Sequence, residues 1–386
     1  MGKKSKKQKE KVSTTPPGVK ELSKNAKRHL TEYTTQLIQA CMVQPEPGQK
    51  EFEYYLQIHE LVEKIRALQT DIKCPILERE KHFGEYLEWL RQNGVDTSRV
   101  EIKEFSEDQG GYGLKATKDL EENEPFISVP KKIMITTESA KASVLGPLIA
   151  NDRILGAMPS VVLALHLINE RRTSDSFWGP YINVMPENVS NPLYFTPDDI
   201  KLLKGSPAQK KFHVSFQQDA NAAKLPIKDC FTFDDYRWAA SIVMARQNQI
   251  PAKNDSRYDF VLIPMWDMCN HCNGTISTEY DIEKDCLECF AMRSYKKDEQ
   301  IFMFYGARSN AEFLVHNGFV YPDNELDRTA IKLGISKGDP MFDKKTELLA
   351  KLQLPPISIR WGHYFSWRSR RPQDHGVVRL CSSRKR

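Results

Sequence analysis

The chain has 386 residues, of which 40% are hydrophobic, so it is long enough to bury the core of two or three domains. No run approaches the ~18 consecutive apolar residues of a membrane span. No apolar segment of a secretory signal opens the chain, so we expect no contact with a membrane. The eight cysteines are therefore expected to be reduced thiols and not a disulfide framework.

The net charge of +5 is concentrated at the two ends of the chain. Residues 1–11 carry six Lys and one Glu, and residues 359–386 carry seven Arg, one Lys and one Asp. The body between them therefore has a net charge of −7, which argues against a core that binds nucleic acid directly. A terminal basic run is usually a solvated tail, and we expect residues 1–25 to be disordered.

Helical periodicity comes first along the chain. Residues 27–44 and 51–70 place apolar side chains at helical spacing, which predicts two helices that pack together. The segment KHFGEYLEWLRQNG carries one apolar stripe and predicts a third helix, with Gly94 as a natural helix end.

From about residue 100 the pattern changes to short alternating runs separated by turn residues, which predict strands. The pattern is helical again between about 140 and 248, where Thr232 and Asp235 resemble a capping box. Strands return at 258–305. The sequence therefore predicts an α+β fold in which a helical insertion interrupts a β-rich unit.

Four cysteines raise the question of a metal site. They form two Cys-x2-Cys pairs, Cys269 with Cys272 and Cys286 with Cys289, and 13 residues separate the pairs. Zinc sites of this kind usually have roughly 15–20 residues between pairs. The second pair lies in an apolar run that predicts a strand, where residues three apart point to opposite faces and cannot clamp one ion. We therefore expect no metal and interpret these cysteines as packing residues.

The dipeptide Asn270-His271 between these cysteines has another interpretation. A Gly-rich turn precedes it in EDQGGYGLKATKDL, residues 107–120, and a predicted strand ending in Tyr-Gly follows it in EQIFMFYGARSNAEFLVHNGF, residues 299–319. This order resembles the SET-domain methyltransferases. In that family the three motifs surround S-adenosyl-L-methionine, and the chain threads through itself in a pseudoknot-like way to bring them together.

Longer motifs are similar to the actin-histidine N-methyltransferase family over roughly residues 47–358. They are RQNQIP, IPMWDMCNHCNG, YGARSNAEFLVHNGF, SVLGPL, RILGAM, FWGPYI and PLYF. That family belongs to the SET branch with a helical insertion and a C-terminal substrate-binding domain, shared with the Rubisco lysine methyltransferases. The resemblance implies an N-terminal helical segment at 26–97, a SET domain at 98–306, a post-SET segment at 307–358 and a divergent basic tail at 359–386.

The resemblance also implies a cofactor site. S-adenosyl-L-methionine is a cation with a carboxylate and an adenine, so it requires an arginine, amide hydrogen bonds and flat apolar faces. Gly110 stands where the family has a glutamate, which loosens one contact. Taken singly, each residue could have an ordinary structural role, and their order carries the assignment. The implied residues are Arg79, Gly110, Gly111, Tyr112, Arg246, Asp267, Met268, Cys269, Asn270, His271, Asn317, Gly318 and Phe319.

For the target pocket, the resemblance implies Tyr305 and Asn248 as catalytic residues and Trp266 and Arg308 as substrate-binding residues. Asn248 would hold a target imidazole on which Tyr305 stacks, while Trp266 walls the pocket and Arg308 positions the bound segment. A histidine is already largely neutral near pH 7, whereas a lysine must first lose a proton. Asn248 also follows a long helical run and could be no more than a helix C-cap.

The activity implied is methyl transfer from S-adenosyl-L-methionine to the tele nitrogen of an actin histidine. Two alternatives stay open: methylation of a lysine in a histone or another protein, and an inactive SET-like adaptor that binds actin or chromatin. We expect a monomer in the cytoplasm, with the nucleus as a second location. After Ser358 the sequence departs from the family, so we expect a truncated form whose C-terminal substrate-binding domain is largely missing.

Overall fold

The structure is a computed structural model, and only the backbone is described at 49–51, 331–333 and 359–361. The predicted disordered tail lies outside the description up to residue 21, and so does nearly all of the basic tail at 359–386. The described residues are 22–43, 49–106, 109–204, 206, 231–252, 258–328, 331–333, 335–351 and 359–361.

Helices are distributed over the whole described chain. None of those described is long and apolar enough to cross a membrane. They are α1 Lys24–Cys41, α2 Gln49–Gln69, α3 Phe83–Gln92, α4 Thr137–Ala142, α5 Gly146–Asn151, α6 Arg153–Gly156, α7 Pro159–Arg172, α8 Gly179–Ile182, α9 Pro197–Leu202, α10 Phe233–Arg246, α11 Asn310–Asn317 and α12 Phe342–Lys351.

The strands are short, and several are separated by long stretches of chain. They are β1 Val100–Glu104, β2 Tyr112–Ala116, β3 Pro125–Pro130, β4 Ile135–Thr136, β5 Asn248–Pro251, β6 Tyr258–Leu262, β7 Asn270–His271, β8 Thr278–Asp281, β9 Cys286–Phe290, β10 Gln300–Met303, β11 Ile331–Leu333 and β12 Ile359–Trp361.

The predicted pair of N-terminal helices is confirmed as α1 and α2, which pack against each other. Leu37 of α1 is buried in one cluster with Ile58 and Val62 of α2, as the apolar spacing predicts. The Ser23 side chain caps α1 by accepting from the N–H of Ala26 at 3.1 Å. Helix α1 therefore begins at Lys24, inside the tail predicted over residues 1–25.

The predicted third helix is confirmed as α3, and its end follows the glycine rule. Asn93 is the C-cap, and Gly94 follows it with φ +92°, in the left-handed region that favours glycine. The N–H of Val95 then bonds the carbonyl of Leu90 at 3.0 Å. This turn leads the chain into β1.

One four-stranded sheet joins the motifs that are separate in sequence, in the order β1-β2-β10-β7. Strand β2 follows the Gly-rich turn, β7 is Asn270-His271, and β10 leads to Tyr305. Strand β10 lies antiparallel to β2 and parallel to β7, with Phe302 opposite Asn270 and Met303 opposite His271. The sheet therefore brings three distant segments side by side.

The helical insertion leaves and rejoins a second sheet, whose order is β4-β6-β5. The chain leaves this sheet at Thr136 and returns at Asn248, and helices α4 to α10 lie between. Helices α7 and α10 pack together through buried apolar side chains, among them Leu163 and Ala239. Both ends of the insertion are thus tied to one partner strand, β6.

Helix α10 begins with half of the predicted capping box. Thr232 is the N-cap and accepts from the N–H of Asp235 at 3.1 Å. The Asp235 carboxylate, however, accepts from the Thr232 hydroxyl at 2.6 Å, from the N–H of Cys74 at 2.9 Å and from Arg172 at 2.5 Å. The predicted reciprocal bond to the Thr232 backbone is replaced because the buried carboxylate binds a buried arginine.

The strand predicted for the second cysteine pair is confirmed. Strand β9 runs between β3 and β8 in a three-stranded sheet, and Cys286 and Cys289 are both buried in it. Cys269 and Cys289 belong to the main apolar core. Within the described ranges, no group of three or more His, Cys, Asp or Glu side chains is placed to hold a metal ion.

A cavity of about 240 Å³ lies between α2, the turn before α9, and α10. Aromatic side chains and two arginines line it, among them Tyr55, Tyr194, Arg66 and Arg237. None of the predicted site residues lines this cavity. It belongs to the junction of the N-terminal helices with the insertion.

Met265 has an unusual backbone conformation just before the segment WDMCNH. Its φ is +65°, which is strained for a residue with a side chain. The hydroxyl of Tyr86, which is fully buried on α3, accepts from the N–H of Met265 at 2.5 Å. This bond holds the sharp turn that leads into Trp266–Met268.

We expect Tyr86→Phe to lower the free energy of unfolding by about 1–3 kcal/mol, because it leaves the buried N–H of Met265 without a partner. Urea denaturation measures the change. The matched control is Tyr258→Phe on β6, where the tyrosine is 64% exposed and the change should stay within about 0.5 kcal/mol. Equal effects of the two substitutions would contradict this role of Tyr86.

Candidate active site

Asp267 lies at the centre of the candidate site and is only 6% exposed. The hydroxyl of Tyr181 on α8 donates to its Oδ2 at 2.7 Å, and Nη1 of Arg246 lies 3.3 Å from the same oxygen. Arg246 also donates to the carbonyl of Asp267. Burial raises the pKa of Asp267, and Arg246 and Tyr181 oppose that shift. The network joins the end of α10 and helix α8 to the 3-10 turn Trp266–Met268, which contains Asp267.

Arg79 brings a second guanidinium to this centre. It lies in a short 3-10 turn, contacts Sδ of Met268 at 3.4 Å and lies 5.3 Å from the centre of the Tyr112 ring. Burial and the charge of Arg246 lower the pKa of Arg79 to about 10. Its buried Nε has no hydrogen-bond partner among the described residues. Arg79 therefore has a donor that an anionic group could use.

The Gly-rich turn presents bare backbone to Asn270. Gly110 has φ +95°, and a Cβ there would lie 2.6 Å from the Asn270 side chain. A Cβ on Gly113 would lie 2.8 Å from Nδ2 of the same residue. A Cβ on Gly111 would meet nothing within 4 Å, so the turn is open on that side. The predicted closeness of the Gly-rich turn and Asn270 is present in the structure.

The Asn270 side-chain amide has three acceptors around its nitrogen. They are the carbonyls of Gln109 and Tyr112, both at 3.3 Å, and Oε1 of Gln300 at 2.9 Å. Gln300 is buried at the start of β10. It was not predicted as a site residue.

His271 is a buried member of an aromatic cluster. Its ring lies 4.7 Å from that of Phe313 and 5.0 Å from that of Tyr321, and Nδ1 accepts from the N–H of Tyr305 at 3.2 Å. Burial lowers the pKa of His271 to about 4, so the ring is neutral at pH 7. The His271 side chain packs in the protein interior. A contact of His271 with the cofactor, as predicted, would therefore be made by its backbone atoms.

Tyr305 follows β10 and faces the same centre. Its hydroxyl donates to the carbonyl of Cys269 at 2.7 Å, and its ring lies edge-on to Phe319 at 6.3 Å. Burial raises the pKa of Tyr305 above its ordinary value, so the phenol stays neutral. Tyr305 can form a wall of the pocket, and it is not a base at neutral pH.

Helix α11 closes one side of the site. Nδ2 of Asn317 donates to the carbonyl of Ala245 at 3.1 Å, and Nη1 of Arg308 donates to Oδ1 of Asn317 at 2.6 Å. Gly318 is the left-handed C-cap of α11, and Phe319 stacks on Phe313 at 5.0 Å. The predicted residues 308 and 317 therefore form one chain of bonds that ends on α10.

Asn248 is the first residue of β5 and lies opposite Val261 of β6. Gln247 is the C-cap of α10, so the interpretation of Asn248 as a helix C-cap is wrong. Nδ2 of Asn248 donates to the carbonyl of Arg246 at 3.2 Å, which ties it to the central network. Trp266 begins the 3-10 turn before β7, and its buried Nε1 has no partner in the described part of the chain.

Sequence reasoning missed three polar residues that organise the site: Tyr86, Tyr181 and Gln300. Tyr181 lies in FWGPYI, a motif that carried the resemblance without a role for any of its residues. Gln300 is a polar residue at the start of an apolar strand, IFMF, and that contrast was the only local signal. Tyr86 lies on the apolar stripe of α3, and no local signal in the sequence distinguished it from a core residue.

The SET domain family matches residues 111–306, about half of the chain, within the predicted range of 98–306. The chain belongs to the SET-domain family. The actin-histidine N-methyltransferase of Xenopus tropicalis is 45% identical over 374 residues, or 93% of this chain and 63% of that protein. The human protein of the same name is 43% identical over 380 residues, or 94% and 63%. The chain thus spans about 63% of the length of these curated relatives.

Solved structures are similar in fold. The SET domain of LSMT bound to lysine and AdoHcy has a TM-score of 0.61 and 25% identity, covering 78% of this chain and 71% of that one. Rubisco LSMT bound to sinefungin and monomethyllysine has a TM-score of 0.59 and 26% identity, covering 78% and 70%. The predicted α+β SET fold and the resemblance to the actin-histidine enzymes are confirmed.

The depressed pKa of His271 predicts a loss of stability in acid. The unfolded chain binds this proton near pH ~6.5, but the folded protein binds it only near pH 4. The free energy of unfolding should therefore fall as the pH drops from ~6.5 to about 4, by roughly 1–3 kcal/mol from this residue. Urea denaturation at a series of pH values measures it.

His271→Gln should flatten this part of the stability profile, because the titrating ring is gone. The control is Phe313→Leu in the same aromatic cluster, which should lower stability by a similar amount at every pH. An unchanged pH dependence in His271→Gln would contradict the assignment of the acid sensitivity to this ring.

Proposed function

We propose that this protein is an S-adenosyl-L-methionine-dependent protein-histidine N-methyltransferase that methylates the tele nitrogen of a histidine of actin. Curated relatives of that name, at 43–45% identity, support the proposal. The Gly-rich turn, the Asn-His pair and the strand that leads to Tyr305 lie side by side in one sheet, which supports it further. The protein would act as a monomer in the cytoplasm, with the nucleus as a second location.

The residues at the centre suit the cofactor. S-adenosyl-L-methionine supplies a methyl group on a positively charged sulfur. Arg79 would bind its carboxylate through Nε, the donor that has no partner among the residues that the structure describes. Asn270 and the backbone of the Gly-rich turn would bind the amino acid end, because that turn is open at Gly111. Tyr112 and Phe319 would provide the flat apolar faces.

The orientation of Asn248 is the observation that carries the choice of histidine. The attacking nitrogen of a neutral imidazole has a free lone pair, so the other nitrogen holds the proton and requires an acceptor. Nδ2 of Asn248 is already bonded to the carbonyl of Arg246, which leaves Oδ1 for that N–H. Such a bond would fix the tautomer and aim the tele nitrogen at the methyl carbon. No base has to act first.

Lysine methylation of a histone or another protein is the second candidate. It is supported by the fold neighbours, whose structures hold lysine or monomethyllysine. A lysine must lose its proton before attack, and Tyr305 is a neutral phenol whose hydroxyl is already bonded to Cys269. The third candidate is an inactive SET-like adaptor that binds actin or chromatin without transfer.

Methyl transfer from labelled S-adenosyl-L-methionine to purified unmethylated actin tests the proposed function. We expect label on one histidine, located by mass spectrometry, because the centre holds an acceptor for an imidazole N–H. Label on a lysine would favour the second candidate. Cofactor binding without transfer to any protein would favour the adaptor, and no cofactor binding would overturn the proposal.

Asn248→Phe should lower kcat/KM for the histidine substrate at least ~100-fold, because the acceptor for the imidazole N–H is lost and its place is filled. The dissociation constant for S-adenosyl-L-methionine should stay unchanged. The matched control is Gln249→Phe, an exposed neighbour on β5 whose side chain points to the other face. Histidine transfer that survives Asn248→Phe would count against the assignment of Asn248.

A further inference from the structure

We propose that Gln300 is a positioning residue, which fixes the orientation of the Asn270 side-chain amide and thereby sets the affinity for S-adenosyl-L-methionine. The inference rests on the proposed function. Gln300 lies in the quoted segment 299–319, at the start of the strand that leads to Tyr305, but it is not among the predicted site residues. It reaches the site because β10 lies between β2 and β7.

Gln300 is held in place by its strand. It is 7% exposed and lies opposite Lys115 of β2 in the antiparallel pair. Its Oε1 accepts from Nδ2 of Asn270 at 2.9 Å, and its Nε2 donates to the carbonyl of Gln109 at 3.4 Å. A buried glutamine with both ends bonded has few other rotamers available.

The partners of Asn270 decide which end of its amide faces inward. The nitrogen and oxygen of an asparagine amide have nearly the same shape, so hydrogen bonding alone distinguishes the two orientations. All three atoms around Nδ2 are acceptors: the carbonyls of Gln109 and Tyr112, and Oε1 of Gln300. The reversed orientation would place Oδ1 against three oxygens. Nδ2 therefore points inward, and Oδ1 is turned away from them.

The glycines of the turn leave room for the two amides to lie against the backbone and against each other. A Cβ on Gly113 would lie 2.8 Å from Nδ2 of Asn270 and 2.8 Å from Oε1 of Gln300, so both amides lie directly on its backbone. Gly110 approaches Asn270 from the other side, where a Cβ would lie 2.6 Å away. Asn270 is thus enclosed by glycine backbone and Gln300.

The outward oxygen of Asn270 has a consequence for the ligand. The amino acid end of S-adenosyl-L-methionine carries an ammonium group, which donates and does not accept hydrogen bonds. A carbonyl oxygen attracts that group, whereas an amide N–H repels it. Gln300 provides the shortest of the three bonds to Nδ2, and it therefore strengthens the orientation in which Asn270 presents its oxygen to the ligand. Gln300 itself does not need to touch the ligand.

The test compares Gln300→Met, which keeps the length of the side chain but removes its acceptor, with Gln300→Glu, which keeps an acceptor oxygen. Isothermal calorimetry on the full chain should show S-adenosyl-L-methionine binding about tenfold more weakly to Gln300→Met. Gln300→Glu should bind within about threefold of the unsubstituted protein. In turnover assays, the KM for the cofactor should rise while the KM for the protein substrate stays unchanged.

A second buried glutamine provides a matched control. Gln69 on α2 is 6% exposed and bonds the backbone of Phe231 and Phe233. Phe233 begins α10 and Arg246 ends it, about 20 Å away along the helix. Gln69→Met should therefore lower stability but leave the dissociation constant for S-adenosyl-L-methionine unchanged. Equal weakening by both substitutions would overturn the proposal, because it would indicate a loss of folding only.

A double-mutant cycle isolates the pair. In an Asn270→Ala background, Gln300→Met should have no further effect on the dissociation constant for S-adenosyl-L-methionine, because there is no amide left to orient. Additive effects of the two substitutions would overturn the proposal.

A measurement without ligand separates this inference from the proposed function. Solvent exchange of the Asn270 side-chain amide protons, followed by NMR, should be slow in the unsubstituted protein and in Gln69→Met. It should be at least tenfold faster in Gln300→Met. If the unsubstituted protein binds no S-adenosyl-L-methionine, the proposed function fails, and exchange still reports on the positioning. Equal exchange rates in the unsubstituted protein and Gln300→Met would overturn the inference.

Discussion

The buried carboxylate of Asp267 is the constraint on which the arrangement of the site depends. Taking a charge out of water costs several kcal/mol unless a partner of opposite charge and hydrogen-bond donors are close. Here the partner is Arg246 at the end of α10, and the hydroxyl donor is Tyr181 on α8. The need to pair this one carboxylate therefore fixes where the helical insertion packs against the turn that carries WDMCNH.

The same centre contains more positive than negative charge. Burial and the nearby charge of Arg246 lower the pKa of Arg79, while the buried carboxylate of Asp267 and the exposed carboxylate of Glu80 oppose that shift. An anionic group near Arg79 would offset this excess. The electrostatics of the centre thus favour a ligand with a carboxylate, and the neutral Tyr305 and His271 add no competing charge.

Sequence reasoning was strongest where periodicity and motif order carry the information. Helix α2 was predicted from its apolar stripe and strand β9 from its largely apolar run without turn residues, because burial imposes such patterns on the residues. The insertion was recognised by its change of period. The motif residues of the site were predicted from their order along the chain, which a threaded fold preserves.

What the sequence by itself determined is most of the helices and strands, the α+β class and the candidate residues that the fold brings close together. Only the tertiary structure decided that His271 serves the core and that Gln300 orients Asn270. It also decided that the Asp235 carboxylate binds Arg172 and Cys74 instead of closing the predicted capping box. Local patterns report which residues are buried. They do not report which polar partner meets a buried group once the strands and helices pack; Cys74, for example, is 161 residues away from Asp235 in the chain.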